Sequence, residues 1–150
     1  MHHDWLTPDW PAPATVRALC TTRTGGVSTG PYESLNLGDH VGDAPAAVRD
    51  NRRLLRQAMG VRPVFLPQIH GLQVAVLNAQ TPDDTPADGC MTASANVACT
   101  IMVADCLPVL FTNHQGSAVA AAHAGWRGLA GAGGRGVLES TLASFMALTN

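Results

Sequence analysis

The chain contains no lysine: its nine basic side chains are all arginine, against 11 acidic ones, for a formal charge of -2. Charged residues make up only 13% of the sequence, so there is no basic field to attract nucleic acid and no polybasic patch for a membrane surface. Long hydrophobic runs are also missing. The apolar stretches around Val97–Ala104 and Ala118–Ala122 fall far short of the roughly 20 residues that span a bilayer. The opening MHHDWLTPDW lacks a basic region followed by an apolar one, which predicts a cytoplasmic protein with neither a membrane nor a nucleic-acid partner. Cysteine is sparse, at positions 20, 90, 99 and 106. Without a secretory signal, these read as reduced thiols rather than disulfides.

What is present is enough for a core: 150 residues, 46% of them apolar, make one domain or a large piece of one. A proline-rich lead-in precedes a strand expected over Val16–Thr22. The polar, glycine-rich stretch RTGGVSTGPYESLNLGDHVG carries Tyr32, Leu35 and Leu37, which predict an ordered loop. Asp43 is placed to cap a helix with Pro45 in its first turn, Val48, Leu55 and Met59 on one face, and Gly60 as its stop. Strands are expected at Val64–Leu66 and Gln73–Leu77, either side of PQIHG, and at Ala95–Ala104, Leu107–Thr112 and Ser117–Ala122. The last three are expected in a sheet buried on both faces. The tail from Leu129 to Leu148 should end in an amphipathic helix carrying Val137, Leu138, Leu142, Phe145 and Met146.

Three possible soft-metal ligands stand at the ends of apolar segments: His70 in PQIHG, Cys106 in VADCLPVLF and His123 in AAAHAGWRG. Their spacing matches no zinc finger or HExxH motif. Glycine follows His70 directly and His123 after one residue, and proline follows Cys106 by two, so the backbone turns at all three and the side chains can meet at one sheet edge. A His₂Cys set suits zinc or copper and leaves a fourth position open, as catalytic sites do. The same residues admit a metal-free thiol enzyme with Cys106 as nucleophile and His123 or His70 as its base, and they also admit unrelated core and surface positions. Asp105 reads as a hydrogen-bond acceptor, His40 as a loop residue able to approach the site, and His2, His3 and His114 as solvated. Arg23 and Arg127 sit in glycine-bearing turns suited to holding phosphate. Arg52 and Arg53 read as the wet face of the helix, with Arg52 a third candidate phosphate contact. Trp126 can stack on a flat ring or plug local packing.

Taken together, PDWPAP, TTRTGGVSTGPYESLNLGDHVGD, VRDNRRLL, LPQIHG, VADCLPVLF and AAAHAGWRGLAGAGG resemble the laccase-domain family, also described as multicopper polyphenol oxidoreductase-like and as purine nucleoside phosphorylases. The motifs come in the family's order and cover nearly the whole chain. The resemblance implies a mixed α/β fold, a layered α/β/β/α sandwich shared with deamidating toxins that use a Cys–His pair. It implies that His70, Cys106 and His123 ligate a metal, with zinc favoured and copper the alternative. It implies purine nucleoside and phosphate as substrates: adenosine, inosine, guanosine or methylthioadenosine is cleaved to base and sugar 1-phosphate, with adenosine deamination as a further activity for which Asp105 or Asp39 would be the carboxylate. The older family label, copper-dependent phenol oxidation, needs a mononuclear copper plus a cluster and hence more histidines than are present. Family members continue well beyond the GWRG helix, so the sandwich and its substrate pocket are expected to be incomplete at the C-terminus.

Overall fold

The computed structural model describes residues 4–150, and His2 and His3 lie outside the described residues. The chain divides into two compact units. One is built from Arg17–Val61 with the lead-in up to Pro11, the other from Ala12–Val16 and Arg62–Asn150.

In the first unit, α1 (Pro45–Met59) has proline in its first turn and ends at Gly60, whose φ of 70° is the left-handed stop that glycine supplies freely. The N-cap is Ala44 rather than Asp43. The Asp43 carboxylate is drawn instead to Ser28 Oγ (2.6 Å) and Asn36 Nδ2 (2.9 Å), and those bonds hold its pKa below the usual carboxylate range. Buried Asn51 of α1 organises the glycine-rich loop. Its Oδ1 accepts from Val27 N (2.8 Å), and its Nδ2 donates to Ser28 Oγ (2.8 Å), Ser34 O (3.2 Å) and Asn36 O (2.8 Å). The loop is ordered as expected, through a polar hub. The strand expected over Val16–Thr22 is absent among the described residues; Cys20 makes only an isolated bridge to Leu6, because no neighbouring run offers a continuous ladder.

The second unit holds two sheets. In the smaller, β1 (Arg62–Val64) pairs in parallel with β4 (Val97–Cys99). The larger has the order β2 (Val74–Val76), β3 (Gly89–Thr92), β6 (Val119–Ala124), β5 (Leu107–Thr112). Ala95–Ala104 is therefore a three-residue strand followed by irregular chain, and β3 is a strand that the apolar pattern did not signal, since Gly-Cys-Met-Thr is too short and too mixed. Only β3 and β6 are buried along their length. β5 is an edge strand with Leu107 and Leu110 exposed, and β4 lies in the other sheet, so of the three strands expected in one sheet buried on both faces only β6 meets the expectation.

Side chains on β6 alternate between two layers. Ala121 faces the smaller sheet with Val64, Leu66, Leu77, Cys90 and Val97, whereas Ala120 and Ala122 face α3 (Val137–Thr149), with Phe145 and Val137 packed against them. The resulting order of helix, four-stranded sheet and two-stranded sheet supplies the α/β/β part of the sandwich within one unit. The face of α3 turned to the sheet is Val137, Thr141 and Phe145. Leu142 and Met146, expected on that stripe, are 47% and 53% exposed, because a helix step of four residues from Val137 lands on Thr141, where Gly89 leaves room for it. Leu77, buried between the sheets, is expected to cost about 2–5 kcal/mol when replaced by alanine. Urea unfolding should show a lower midpoint at unchanged slope. No helix among the described residues is long and apolar enough to cross a membrane.

Candidate metal centre

Strand register brings the site together. In the antiparallel pairs, Gly89 lies opposite Ala122, and Pro108 lies opposite His123. One step further along β3, Asp88 therefore falls beside His123, and the His123 N–H donates to Asp88 O at 2.7 Å. Cys106 is the bend residue immediately before β5, two residues from Pro108, and so stands at the same end of the sheet. The small residues of β6 let this strand run through the crowded centre of the sheet, so that His123, only 4% exposed, emerges at its end.

His70 arrives from a loop. It has a φ of 57°, unusual for a non-glycine residue. The turn is held by the Asp88 carboxylate, which accepts from the backbone N–H of Ile69 (3.1 Å), His70 (2.9 Å) and Gly71 (2.7 Å). The preceding Gln68 spans to the segment that leads into Cys106: its side chain donates to Met102 O and accepts from Met102 N, both at 2.7 Å. Gly125, just past β6, completes the crowding. A Cβ there would lie 3.0 Å from His70 Cδ2 and 3.1 Å from Cys106 Sγ.

The potential ligand atoms of His70, Cys106 and His123 lie within 4.8 Å of one another. Cys106 Sγ is 3.9 Å from His70 Nε2, and the two imidazole rings meet edge-on with centroids 4.7 Å apart. Zinc bonds of about 2.3 Å to sulfur and about 2.0–2.1 Å to nitrogen, at tetrahedral angles, would set sulfur and nitrogen about 3.6 Å apart. The Cys106–His70 pair already stands near that separation, and closing the set around an ion requires the three donor atoms, now within 4.8 Å, to draw together. Three ligands leave one coordination position free, and His70 and Cys106 lie on the accessible side of the buried His123. Burial and the neighbouring Asp105 carboxylate, 3.7 Å from Sγ, push the Cys106 thiol pKa up. This is opposite to the activation that a free thiol nucleophile requires, and a cation between the ligands would reverse it.

The remaining candidates are placed as follows. Arg127, exposed in the short helix α2 (Trp126–Ala130), lies two residues past Gly125, with its guanidinium 5.2 Å from the centroid of the Trp126 ring. Trp126 is 74% exposed, so it does not plug the interior. Arg23 belongs to the first unit, where it donates to Glu33 O (2.7 Å) and Pro31 O (3.3 Å). Arg52, in the same unit, donates to Leu37 O (2.9 Å) and pairs with Asp39 (3.2 Å). It is half-buried rather than on the wet face expected of it. His40 also lies in that unit, 3.7 Å from Asp39, and His114 is exposed as expected. Asp105 stands beside the candidate metal-binding group without belonging to it. Sequence reasoning missed Asp88 and Gln68. The DG pair at 88–89 reads as a turn, and only knowledge of β3 would have set that carboxylate against His123.

A mixed α/β layered unit with a His₂Cys group at the end of its central strand defines a class of candidate metalloenzymes. Residues 17–150 match the family described as multi-copper polyphenol oxidoreductase laccase, and the chain belongs to that family. It is 57% identical over 140 residues to "Purine nucleoside phosphorylase PA4543" of Pseudomonas aeruginosa, covering 93% of this chain and 55% of that protein. It is 47% identical to "Purine nucleoside phosphorylase YfiH" of Escherichia coli, covering 93% and 57%. The crystal structure of Neisseria meningitidis protein NMB0706 superposes with a TM-score of 0.85 at 56% identity, over 94% of this chain and 57% of that one. YlmD from Geobacillus stearothermophilus gives 0.76 at 36% identity, over 85% and 52%. The chain spans about half the length of the curated relatives it matches.

Proposed function

We propose that this chain carries the metal-binding part of a zinc-dependent purine nucleoside phosphorylase acting on adenosine, inosine, guanosine or methylthioadenosine. The observation that carries this reading is the convergence of His70, Cys106 and His123 within 4.8 Å, in a chain whose relatives bear that enzyme's name. A bound cation would act there as a Lewis acid.

In phosphorolysis the bond from the sugar's anomeric carbon to the purine nitrogen breaks, a phosphate oxygen takes its place, and the departing base gains a proton. Charge builds on the sugar as the base leaves, so a phosphate held close by stabilises the transition state. Arg127 is the cation best placed to hold it, lying two residues from Gly125 with a guanidinium for which no hydrogen bond to another described residue is seen; Arg23 and Arg52 stand in the other unit, where their guanidinium groups donate to backbone carbonyls. Exposed Trp126 offers an aromatic face to the purine. Adenosine deamination fits the same site, with Asp105 as the carboxylate that moves the proton. The multicopper alternative finds less support, since the described residues gather one three-ligand group.

Adenosine incubated with the zinc-loaded protein should yield ribose 1-phosphate only when phosphate is present, whereas inosine formed without phosphate marks deamination. Arg127→Ala should lower kcat/KM for phosphate by about 10–100-fold, the worth of one charge-assisted contact. Unchanged kcat/KM would remove Arg127 from the phosphate site.

A further inference from the structure

We infer that Asp88, through one fully buried carboxylate, positions two of the three ligands at once. It would fix the ring tautomer of His123 and hold the turn that presents His70. This inference rests on the metal-site reading above and adds a residue to it.

The carboxylate is completely buried, and four nitrogen atoms converge on its two oxygens. Three are the backbone donors of Ile69, His70 and Gly71. The fourth partner is His123 Nδ1, 2.8 Å from Oδ1. A carboxylate offers about four acceptor sites, and backbone N–H groups can only donate, so the arrangement is satisfied when Nδ1 of His123 is the protonated nitrogen. Nε2 then keeps its lone pair for a metal. Histidine ligands are commonly oriented in this way, with the second ring nitrogen donating to a carboxylate that fixes the tautomer.

The same oxygens stabilise the left-handed turn at His70, which costs free energy in a residue with a Cβ. Three successive N–H groups wrapped around an anion form a concave nest. Here the anion is a side chain of the chain itself, delivered from the strand next to His123. Two ligands from distant parts of the sequence are thus tied to a single group, and its loss should disturb both. Asparagine is nearly isosteric but brings an NH₂ donor into a cluster of donors, leaving about two of the four bonds unmatched.

The test has two readouts. In metal-free wild-type protein, long-range ¹H–¹⁵N correlation spectra should show His123 protonated at Nδ1. In Asp88→Asn that preference should weaken, and zinc affinity measured by chelator competition should fall about 10–100-fold. Leu77→Ala, a core variant remote from the ligands, should lose stability yet keep wild-type zinc affinity, which separates positioning from general destabilisation. A wild-type His123 protonated at Nε2 overturns the inference even if Asp88→Asn fails to fold, and so does Asp88→Asn with wild-type affinity. A wild type with the Nδ1 tautomer that binds no zinc would contradict the metal reading and leave the Asp88–His123 bond standing.

Discussion

His123→Ala is expected to abolish high-affinity metal binding in a chain that still folds. The imidazole is the most buried of the three ligands and stands on the central strand, so the other two cannot rearrange to replace it. His70 is tied down by its turn, and Cys106 enters an edge strand whose register is set by six paired residues. The loss in zinc affinity should exceed the roughly 10–100-fold typical of removing an outer-sphere partner, and proposed phosphorolysis should fall with it. The chain's fold has other supports: Ala121, Leu66, Leu77 and Val97 remain packed between the sheets, and Asp88 keeps its three backbone donors. Equilibrium dialysis against zinc, followed by metal analysis and circular dichroism, separates loss of metal from loss of fold. A folded variant that retained its metal would remove His123 from the ligand set.

Gly125→Ala is expected to have a comparably localised effect for a purely steric reason. Gly125 has φ -70° and ψ 160°, an extended conformation open to any residue, so alanine meets no backbone penalty. Its Cβ would, however, press on His70 Cδ2 at 3.0 Å and Cys106 Sγ at 3.1 Å. Overpacking of this kind costs about 1–3 kcal/mol; if the strain is relieved by moving the ligands apart, zinc affinity falls by about 5- to 150-fold. Thermal unfolding of the metal-free protein should change little, and chelator competition should show the deficit. Unaltered affinity would mean that the glycine serves the backbone rather than the site.

The convergence of His70, Cys106 and His123 was legible because each is a rare residue type at the end of an apolar segment beside a turn-former. Helix α1 was legible from Pro45, Gly60 and the spacing of Val48 and Leu55. What the sequence concealed was long-range. β3 carries no apolar alternation, and its identity as a strand depends on pairing with Val119–Ala122, about 30 residues later. Because β3 was hidden, so was Asp88. Asn51 was hidden likewise: on a helix it reads as a polar surface residue, and only the folded loop shows it as a buried hub. The stripe of α3 misled because hydrophobicity alone puts Leu142 and Met146 inside, while the small Gly89 gives the contact to Thr141.

X-ray absorption at the zinc edge of the loaded wild-type chain reads the proposed ligand set itself. Expected are one sulfur at about 2.3 Å and two imidazole nitrogens at about 2.0–2.1 Å, with the sulfur lost in Cys106→Ser and no tightly bound zinc left in His123→Ala. A coordination shell without sulfur, or one unchanged by both substitutions, would contradict it.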